Sequence, residues 1–191
     1  EEHTKGIIDK SKMKPGDEVY VWKSTGPHTN GFTLIKKILD ESQLRYDLNE
    51  QEFKNFISWL CNVHKSYYDE LESYKGAGVH IKAMAHITGG GLIENPKRIV
   101  PDNLQMILDK SRIFENMSKN FEILSNYAGL SEFELLKTFN CGIGMLVVVA
   151  EKDKELIKQI SNIKGWSNNI YQVGYIVERK EKEDSVKFIK K

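Results

Sequence analysis

The chain has 191 residues, of which 40% are hydrophobic and 29% are charged. This composition is close to the globular average, so it argues against a disordered, collagen-like or repetitive chain and favours a single α/β or α+β domain. Lysine and arginine number 28 against 27 acidic residues, which leaves a formal charge of +1. A chain this near to neutrality lacks the basic field that would hold nucleic acid or an anionic membrane.

Cysteine usage and hydropathy indicate a cytoplasmic protein. Cys61 and Cys141 belong to no Cys-x-x-Cys or Cys/His ligand spacing, so we predict no disulfide framework and no metal site, and we interpret both as buried, reduced thiols. No apolar run approaches the roughly 20 residues that span a bilayer, and the first residues, EEHTKG, are unlike a signal peptide. The chain starts without methionine and soon enters the apolar pair Ile7-Ile8, which suggests a domain excised from a longer protein.

The first half of the chain predicts a strand, a loop and two helices. β-branched and aromatic residues alternate over residues 18–22 (EVYVW), which is typical of a strand. A helix follows Gly31, with Thr29 or Asn30 as its N-cap. Its apolar residues recur at helical spacing: Phe32, Ile35, Ile38 and Leu39. A second, longer helix is predicted over residues 50–71, where one face carries Phe53, Phe56, Ile57, Leu60, Val63 and Tyr67.

The second half repeats the alternation of strands and helices. Residues 79–87 read as a buried strand that runs into Thr88, three glycines and a short helix. Further strands are predicted over residues 104–108, 142–150, 171–177 and 186–189, and helices over 114–127, 131–138 and 152–163. Ser131 and Glu134 form a capping-box pattern at one helix start. The fold class is therefore α/β, an α+β sandwich whose mixed sheet carries its helices mainly on one face.

The run Gly89, Gly90 and Gly91 is a candidate phosphate site. Consecutive glycines let backbone N–H groups approach an anion, and the N-terminus of the following helix adds a positive dipole end. The competing interpretation is a tight turn without a ligand. Glu94 and Asn95 follow the glycines closely enough to reach the same pocket or to cap the helix start.

Three polar residues lie where strands meet loops, and each has two interpretations. His28 could donate to a phosphate or be an exposed loop histidine, and Asn30 could cap a helix or read an amide. His86 ends a strand directly before the glycines, where it either shapes the loop or faces a ligand. His64, beside Lys65, is either solvated or faces a substrate phosphate. Cys141 lacks a base at motif spacing, so an inert thiol is favoured over a nucleophile.

Three segments together resemble the C-terminal domain of the aminoimidazole ribonucleotide synthetase family. They are residues 24–39 (STGPHTNGFTLIKKIL), 85–101 (AHITGGGLIENPKRIVP) and 138–145 (TFNCGIGM). Their order and separation fit the family, and the resemblance extends from Gly6 to about Val177. The residues of the last two segments resemble this cyclo-ligase more than relatives such as selenophosphate synthetase, thiamine monophosphate kinase and a hydrogenase maturation protein.

The resemblance implies a reaction and a two-domain enzyme. Formylglycinamidine ribonucleotide and ATP would give aminoimidazole ribonucleotide, ADP and phosphate. ATP would activate the formyl oxygen as an iminophosphate before the amidine-side nitrogen closes the ring. An N-terminal domain, absent from this chain, would contribute most of the ATP and Mg²⁺ site and the contacts of a homodimer. Residues 1–191 would then form a single C-terminal domain that is inactive when isolated.

The resemblance also implies roles for the candidate residues. His28 and Asn30 would face the cleft, the three glycines would bind or border a phosphate, and His86 and Glu94 would support the glycines. The chain departs from the family where many relatives have Pro-Thr-Arg and it has Asn62-Val63-His64, so His64 or Lys65 would replace an arginine. Two alternatives stay open: a non-catalytic binding or dimerisation module, and a related ATP-dependent enzyme such as formylglycinamidine ribonucleotide synthetase.

Overall fold

A six-stranded mixed sheet organises residues 8–190, which are the residues that the computed structural model describes. The strands are β1 (Glu18–Lys23), β2 (Ile81–His86), β3 (Leu104–Asp109), β4 (Ile143–Val149), β5 (Ile170–Glu178) and β6 (Val186–Ile189). Their order across the sheet is β2-β4-β1-β5-β3-β6. The predicted α/β class and mixed sheet are confirmed. Residues 1–7 and 191, and with them Ile7 and the start of the chain, lie outside the described residues.

Helices cover both faces of this sheet, but one face carries most of them. They are α1 (Phe32–Glu41), α2 (Leu44–Asp47), α3 (Glu50–Leu60), α4 (Tyr68–Gly76), α5 (Gly91–Glu94), α6 (Lys110–Glu115), α7 (Lys119–Ala128), α8 (Glu132–Thr138) and α9 (Lys154–Ile163). The buried residues of α4 and α9 share one hydrophobic cluster with Tyr20 and Trp22. Those of the other helices pack with Val19 and Val21 in a larger cluster. The alternation along β1 thus supplies both cores.

The strand pairing brings three chain segments to one edge of the sheet. β4 lies antiparallel between β1 and β2, with Lys23 opposite Ile143 and His86 opposite Met145. The ends of β1 and β2 therefore meet the beginning of β4. β3 and β6 are the parallel pair at the far side of the sheet.

The long helix predicted over residues 50–71 is wrong in its middle. α3 ends at Leu60 and α4 begins at Tyr68, and Val63, predicted on the apolar face, is 86% exposed. The physical reason is that Leu60 packs in one core and Tyr67 in the other. The chain must cross from one face of the sheet to the other between them, which a continuous helix cannot do.

Smaller corrections concern helix ends and one thiol. The helix predicted over residues 114–127 is two helices, α6 and α7, since Ser118 caps a new start with its side chain. α1 begins after Gly31, which is left-handed at φ 72°, so neither Thr29 nor Asn30 is its N-cap. Cys61 is exposed, whereas Cys141 is buried as predicted.

Other details agree with the prediction. The capping box of Ser131 and Glu134 is formed, and β6 has the predicted bounds. No helix within residues 8–190 is both long and apolar enough to cross a bilayer.

Candidate functional site

Four loops converge at the edge of the sheet where β1 and β2 end and β4 begins. They are residues 24–31 after β1, residues 61–67 between α3 and α4, residues 87–90 after β2 and residues 139–142 before β4. The segment 61–67 crosses from one sheet face to the other at this edge. All three family-like segments therefore contribute to one place in the fold.

Two buried asparagines tie these loops together through backbone carbonyls. Asn30 donates from Nδ2 to the Thr88 carbonyl at 2.7 Å, and Asn140 donates to the Gly26 carbonyl at 2.9 Å. The Oδ1 atom of Asn140 accepts from the Gly142 amide at 3.0 Å. A buried amide side chain that bridges two loops costs little only when its own groups are paired. Asn140 is paired on both its donor and its acceptor, whereas the Oδ1 of Asn30 has no partner among the described residues. Asn30 is a buried tie between two loops and not the predicted helix cap.

Glycines at this edge allow close packing that a side chain would prevent. A Cβ at Gly26 would lie 2.7 Å from the Trp59 carbonyl, and one at Gly31 would overlap the Phe139 ring. The loop after β1 therefore packs tightly against α3 and the loop before β4, which fixes the backbone on either side of His28.

The glycine loop, residues 88–91, is held by Asn95. Asn95 is 3% exposed; it donates to the carbonyls of Gly91 at 2.9 Å and Gly89 at 3.0 Å, and accepts from the Thr88 hydroxyl at 3.1 Å. Gly90 and Gly91 have φ of 95° and 54°, which only glycine adopts readily. The loop is supported by Asn95, so the support predicted from His86 and Glu94 is not what the hydrogen bonds provide.

One end of the glycine loop is open to a ligand. Nothing lies within 4 Å of a Cβ built at Gly89, and the amides of Gly89 and Gly90 have no acceptor among residues 8–190. Two free N–H groups suit an anion. α5 has only four residues, so it adds much less dipole than the sequence suggested. The exposed Glu94 carboxylate lies against Gly90, so an anion is favoured nearer to Gly89.

Two histidines from the loops and one from the end of β2 form a histidine cluster: His28, His64 and His86. The rings of His28 and His64 stack with centroids 3.9 Å apart, and the Nε2 atoms of His64 and His86 are 3.1 Å apart. His28 is 7% exposed, whereas His64 and His86 are exposed. One ligand nitrogen from each ring lies within 4.8 Å of the other two.

The environment keeps the buried member of the cluster neutral. Burial, followed by the nearby His64, lowers the pKa of His28 to about 4. Burial, again followed by His64, lowers the pKa of His86. His28 also adopts φ 54°, an uncommon conformation outside glycine, and its Nδ1 has no hydrogen-bond partner among the described residues. A buried nitrogen without a partner is costly in a native fold unless a ligand uses it.

The segment 62–64, where a departure from the family sequence is expected, lies directly beside this cluster. Asn62 donates to the Thr25 carbonyl at 2.8 Å, and the Thr25 hydroxyl donates to the Val63 carbonyl at 2.7 Å. These two bonds fix the backbone that precedes His64. Lys65 forms an ion pair with the buried Glu70. Of the two residues predicted to replace an arginine, His64 is therefore the one that reaches the site.

Sequence reasoning missed Asn140 and underestimated Asn95 and His64. Asn140 lies in the family-like segment 138–145, but no local pattern says that its partner is Gly26, which is 114 residues away. His64 was considered only with Lys65, because its histidine partners are distant in the chain. A sequence signal was present for each residue. Asn95 and Asn140 lie close to glycines, and His64 lies in the segment that is expected to differ from the family.

The comparisons with known proteins agree with this geometry. A family model described as AIR synthase related protein, C-terminal domain, matches residues 14–187. The phosphoribosylformylglycinamidine cyclo-ligase of Cupriavidus metallidurans is 34% identical over 180 residues. That match covers 93% of this chain and 49% of the relative, so the chain spans about half the length of the curated relative it matches.

Solved structures share the fold at low sequence identity. The hydrogenase maturation protein HypE in complex with ATP has a TM-score of 0.60 and 15% identity, covering 95% of this chain and 50% of that one. Thiamine monophosphate kinase from Aquifex aeolicus has a TM-score of 0.54 and 12% identity, covering 96% and 55%. The fold, the three converging segments and the family match lead to one conclusion. The chain belongs to the AIR synthase related family, and it corresponds to the C-terminal domain of that family.

Proposed function

We propose that this chain forms half of an ATP-dependent cyclo-ligase that converts formylglycinamidine ribonucleotide to aminoimidazole ribonucleotide in purine biosynthesis. The observation that carries the proposal is that the three family-like segments meet at one edge of the sheet in a chain 34% identical to such a ligase. Phosphate and ADP are the other products.

Within this site the glycine loop is the proposed phosphate contact. The free amides of Gly89 and Gly90 would donate to the phosphate of the ribonucleotide. The ties made by Asn30, Asn95 and Asn140 would hold these donors in place before the substrate arrives, so little ordering would be needed on binding. The histidine cluster would border the same ligand.

The remaining parts of the proposal concern what lies outside this chain. The relative is about twice as long, and we assign to its other half an N-terminal domain that supplies most of the ATP and Mg²⁺ site. HypE, with the same fold, has been solved with ATP, which supports a nucleotide-using superfamily. A homodimer and a cytoplasmic location belong to the same proposal, and the dimer is testable by light scattering on the two-domain protein.

The test is a domain exchange in which this chain replaces the corresponding half of the Cupriavidus metallidurans relative. The chimera should form aminoimidazole ribonucleotide from formylglycinamidine ribonucleotide and ATP, with the intact relative as positive control. A folded chimera that binds ATP but forms no product would overturn the proposal, and so would a preference for another substrate of the superfamily such as thiamine monophosphate.

A matched pair of variants tests the phosphate contact in the same chimera. Gly89→Asp places a carboxylate where a side chain fits without strain, and Gly89→Asn adds a neutral group of the same shape. Repulsion between this carboxylate and a phosphate about 4 Å away would weaken the free energy of binding by roughly 1 to 4 kcal/mol. We expect Gly89→Asp to raise KM for the ribonucleotide about tenfold or more and Gly89→Asn to change it little. Equal effects would remove the phosphate from this loop.

The isolated chain should show no turnover. A cleft built from two domains loses positioning and charge stabilisation when one domain is absent. The measurement is product formation by residues 1–191 alone, with the chimera assayed alongside. Steady product that depends on ATP would show that this chain holds a complete site and would contradict the two-domain proposal.

A further inference from the structure

Three imidazole side chains meet at the edge of the sheet where β1 and β2 end and β4 begins. One ligand nitrogen from each of His28, His64 and His86 lies within 4.8 Å of the others. Two of the residues come from different loops and His86 from the end of β2, so neighbouring positions in the sequence do not bring them together. Three neutral imidazoles are a common ligand set for a divalent transition metal.

The distance between two of the ring nitrogens is close to that of two nitrogens bound to one metal ion. The Nε2 atoms of His64 and His86 are 3.1 Å apart. Two nitrogens bound tetrahedrally to one zinc ion at about 2.0 to 2.1 Å lie roughly 3.3 Å from each other. Without metal one of these nitrogens must carry a proton to bond the other, and a metal ion would replace that proton.

The third histidine is buried with an unused ring nitrogen. His28 is 7% exposed, and its Nδ1 has no partner among the described residues. The Thr25 backbone N–H donates to His28 Nε2 at 3.3 Å, which places the proton of the neutral ring on Nδ1. A metal ion at Nδ1 would shift that proton to Nε2, where the Thr25 hydroxyl, 3.2 Å away, can accept the hydrogen bond. A metal-binding histidine commonly has such a partner for its other nitrogen, which fixes the ring.

The surrounding structure allows the remaining adjustment. His28 and His64 now stack at an interplanar angle of 18°, so the His64 ring must turn out of the stack before both rings can direct nitrogens at one ion. His64 is exposed, and its backbone is fixed by the bonds between Thr25 and residues 62 and 63. The ring can therefore rotate while its Cα stays beside His86.

We infer that the histidine cluster is a binding site for a divalent transition-metal ion of the zinc class, held by His28, His64 and His86. The ligand chemistry selects zinc, cobalt, nickel or copper over Mg²⁺ or Ca²⁺, which prefer oxygen ligands. The site is separate from the Mg²⁺ proposed for the other domain. Three protein ligands leave a fourth position for water or another ligand.

Direct metal binding to the isolated chain tests this inference without any need for enzyme activity. Calorimetry with Zn²⁺ should give one site in a Cys61→Ser background, which removes the exposed thiol as a competing ligand. Adding His64→Asn should weaken binding at least about tenfold, because even outer partners of metal ligands contribute 10- to 100-fold. His80→Asn is the matched control, since His80 pairs with Asp153 away from the cluster.

A spectroscopic measurement decides the geometry. Co²⁺ in a site with three nitrogens and one further ligand gives strong visible absorption, whereas octahedral Co²⁺ absorbs weakly. We expect strong absorption from the background protein and from the His80→Asn variant, and its loss in the His64→Asn and His86→Asn variants. Zn²⁺ binding that is unchanged by His64→Asn, or weak Co²⁺ absorption in the background protein, would overturn the site. Circular dichroism confirms that each variant is folded.

Discussion

The glycine loop and the histidine cluster are neighbours at one edge of the sheet, but they satisfy their polar groups in opposite ways. Asn95 binds the carbonyls of the glycine loop from inside the fold, and Gly90 and Gly91 have no room for a side chain. The cluster leaves a buried nitrogen of His28 unpaired and two rings exposed. The carbonyl side of the glycine loop is therefore framework, with only the amides of Gly89 and Gly90 left unpaired among the described residues, whereas the histidine cluster carries side-chain nitrogen atoms that the fold itself does not use.

The largest expected effect comes from the framework side. Gly91→Ala forces a left-handed φ on alanine and drives its Cβ into the Leu136 backbone carbonyl. Strain and overpacking together should lower the free energy of unfolding by about 3 kcal/mol or more. Urea denaturation measures it. Gly89→Ala is the control, and its expected change is under about 0.5 kcal/mol because that position is open.

Removing the support of the loop should come next in size. Asn95→Ala leaves the carbonyls of Gly89 and Gly91 and the Thr88 hydroxyl without their partner. Leaving one buried and two part-buried polar groups unpaired should cost roughly 2 to 4 kcal/mol of unfolding free energy. Asn55→Ala on the exposed face of α3 provides the matched control. Similar losses for the two variants would mean that Asn95 is not the support of the loop.

The cluster should reveal itself through pH. The pKa of His28 is lowered to about 4 in the fold, whereas the unfolded chain takes up the proton near 6.5. As pH falls from 6.5 to 4 the unfolded state binds more protons, so stability decreases, by roughly 2 kcal/mol from this group. Above about pH 7.5 the group is neutral in both states and contributes no pH dependence. The groups that face it are His64, His86 and Lys65.

The measurement is urea denaturation at pH 7, 5.5 and 4 with a chelator present, for the natural chain and for His28→Asn. Asparagine tolerates the left-handed φ of this position. The natural chain should lose more stability than the variant over this interval. Parallel pH profiles would show that His28 is not kept neutral by burial.

The smallest expected effect sharpens the comparison most. His64→Asn removes an exposed ring that stacks on His28 and bonds His86. Since no buried cavity results, the free energy of unfolding should change by less than about 0.5 kcal/mol. The midpoint of urea denaturation, measured with chelator, checks this. A loss as large as that of Asn95→Ala would place His64 in the framework and break the distinction between the two regions.

Periodicity and turn chemistry predicted the elements, but not how they are connected over the edge of the sheet. β1 follows from alternation and α8 from its capping box, both of which are local. The segment 61–67 keeps helical apolar spacing up to Tyr67, yet Tyr67 belongs to the opposite core from Leu60. The spacing of apolar residues indicates that Leu60 and Tyr67 are buried, but it does not indicate which face of the sheet each residue packs against.

The sequence predicted which residues lie close together at this edge better than it predicted their contacts. The family-like segments contained His28, Asn30, His86 and the glycines, and the fold gathers them at one edge. Roles depended on contacts between residues far apart in the chain, such as Asn30 with Thr88 and Asn140 with Gly26. The histidine cluster has the same origin, since its members have no ligand spacing that a sequence motif would display.

The ties at this edge have an evolutionary consequence. Asn30 and Asn62 bind the main-chain carbonyls of Thr88 and Thr25, and every amino acid offers such a carbonyl. Mutations can therefore change the side chains of these loops while the loops keep their positions. The backbone positions can thus be kept while the surface side chains change. This is consistent with the same fold in a kinase and a maturation protein that are 12% and 15% identical to this chain.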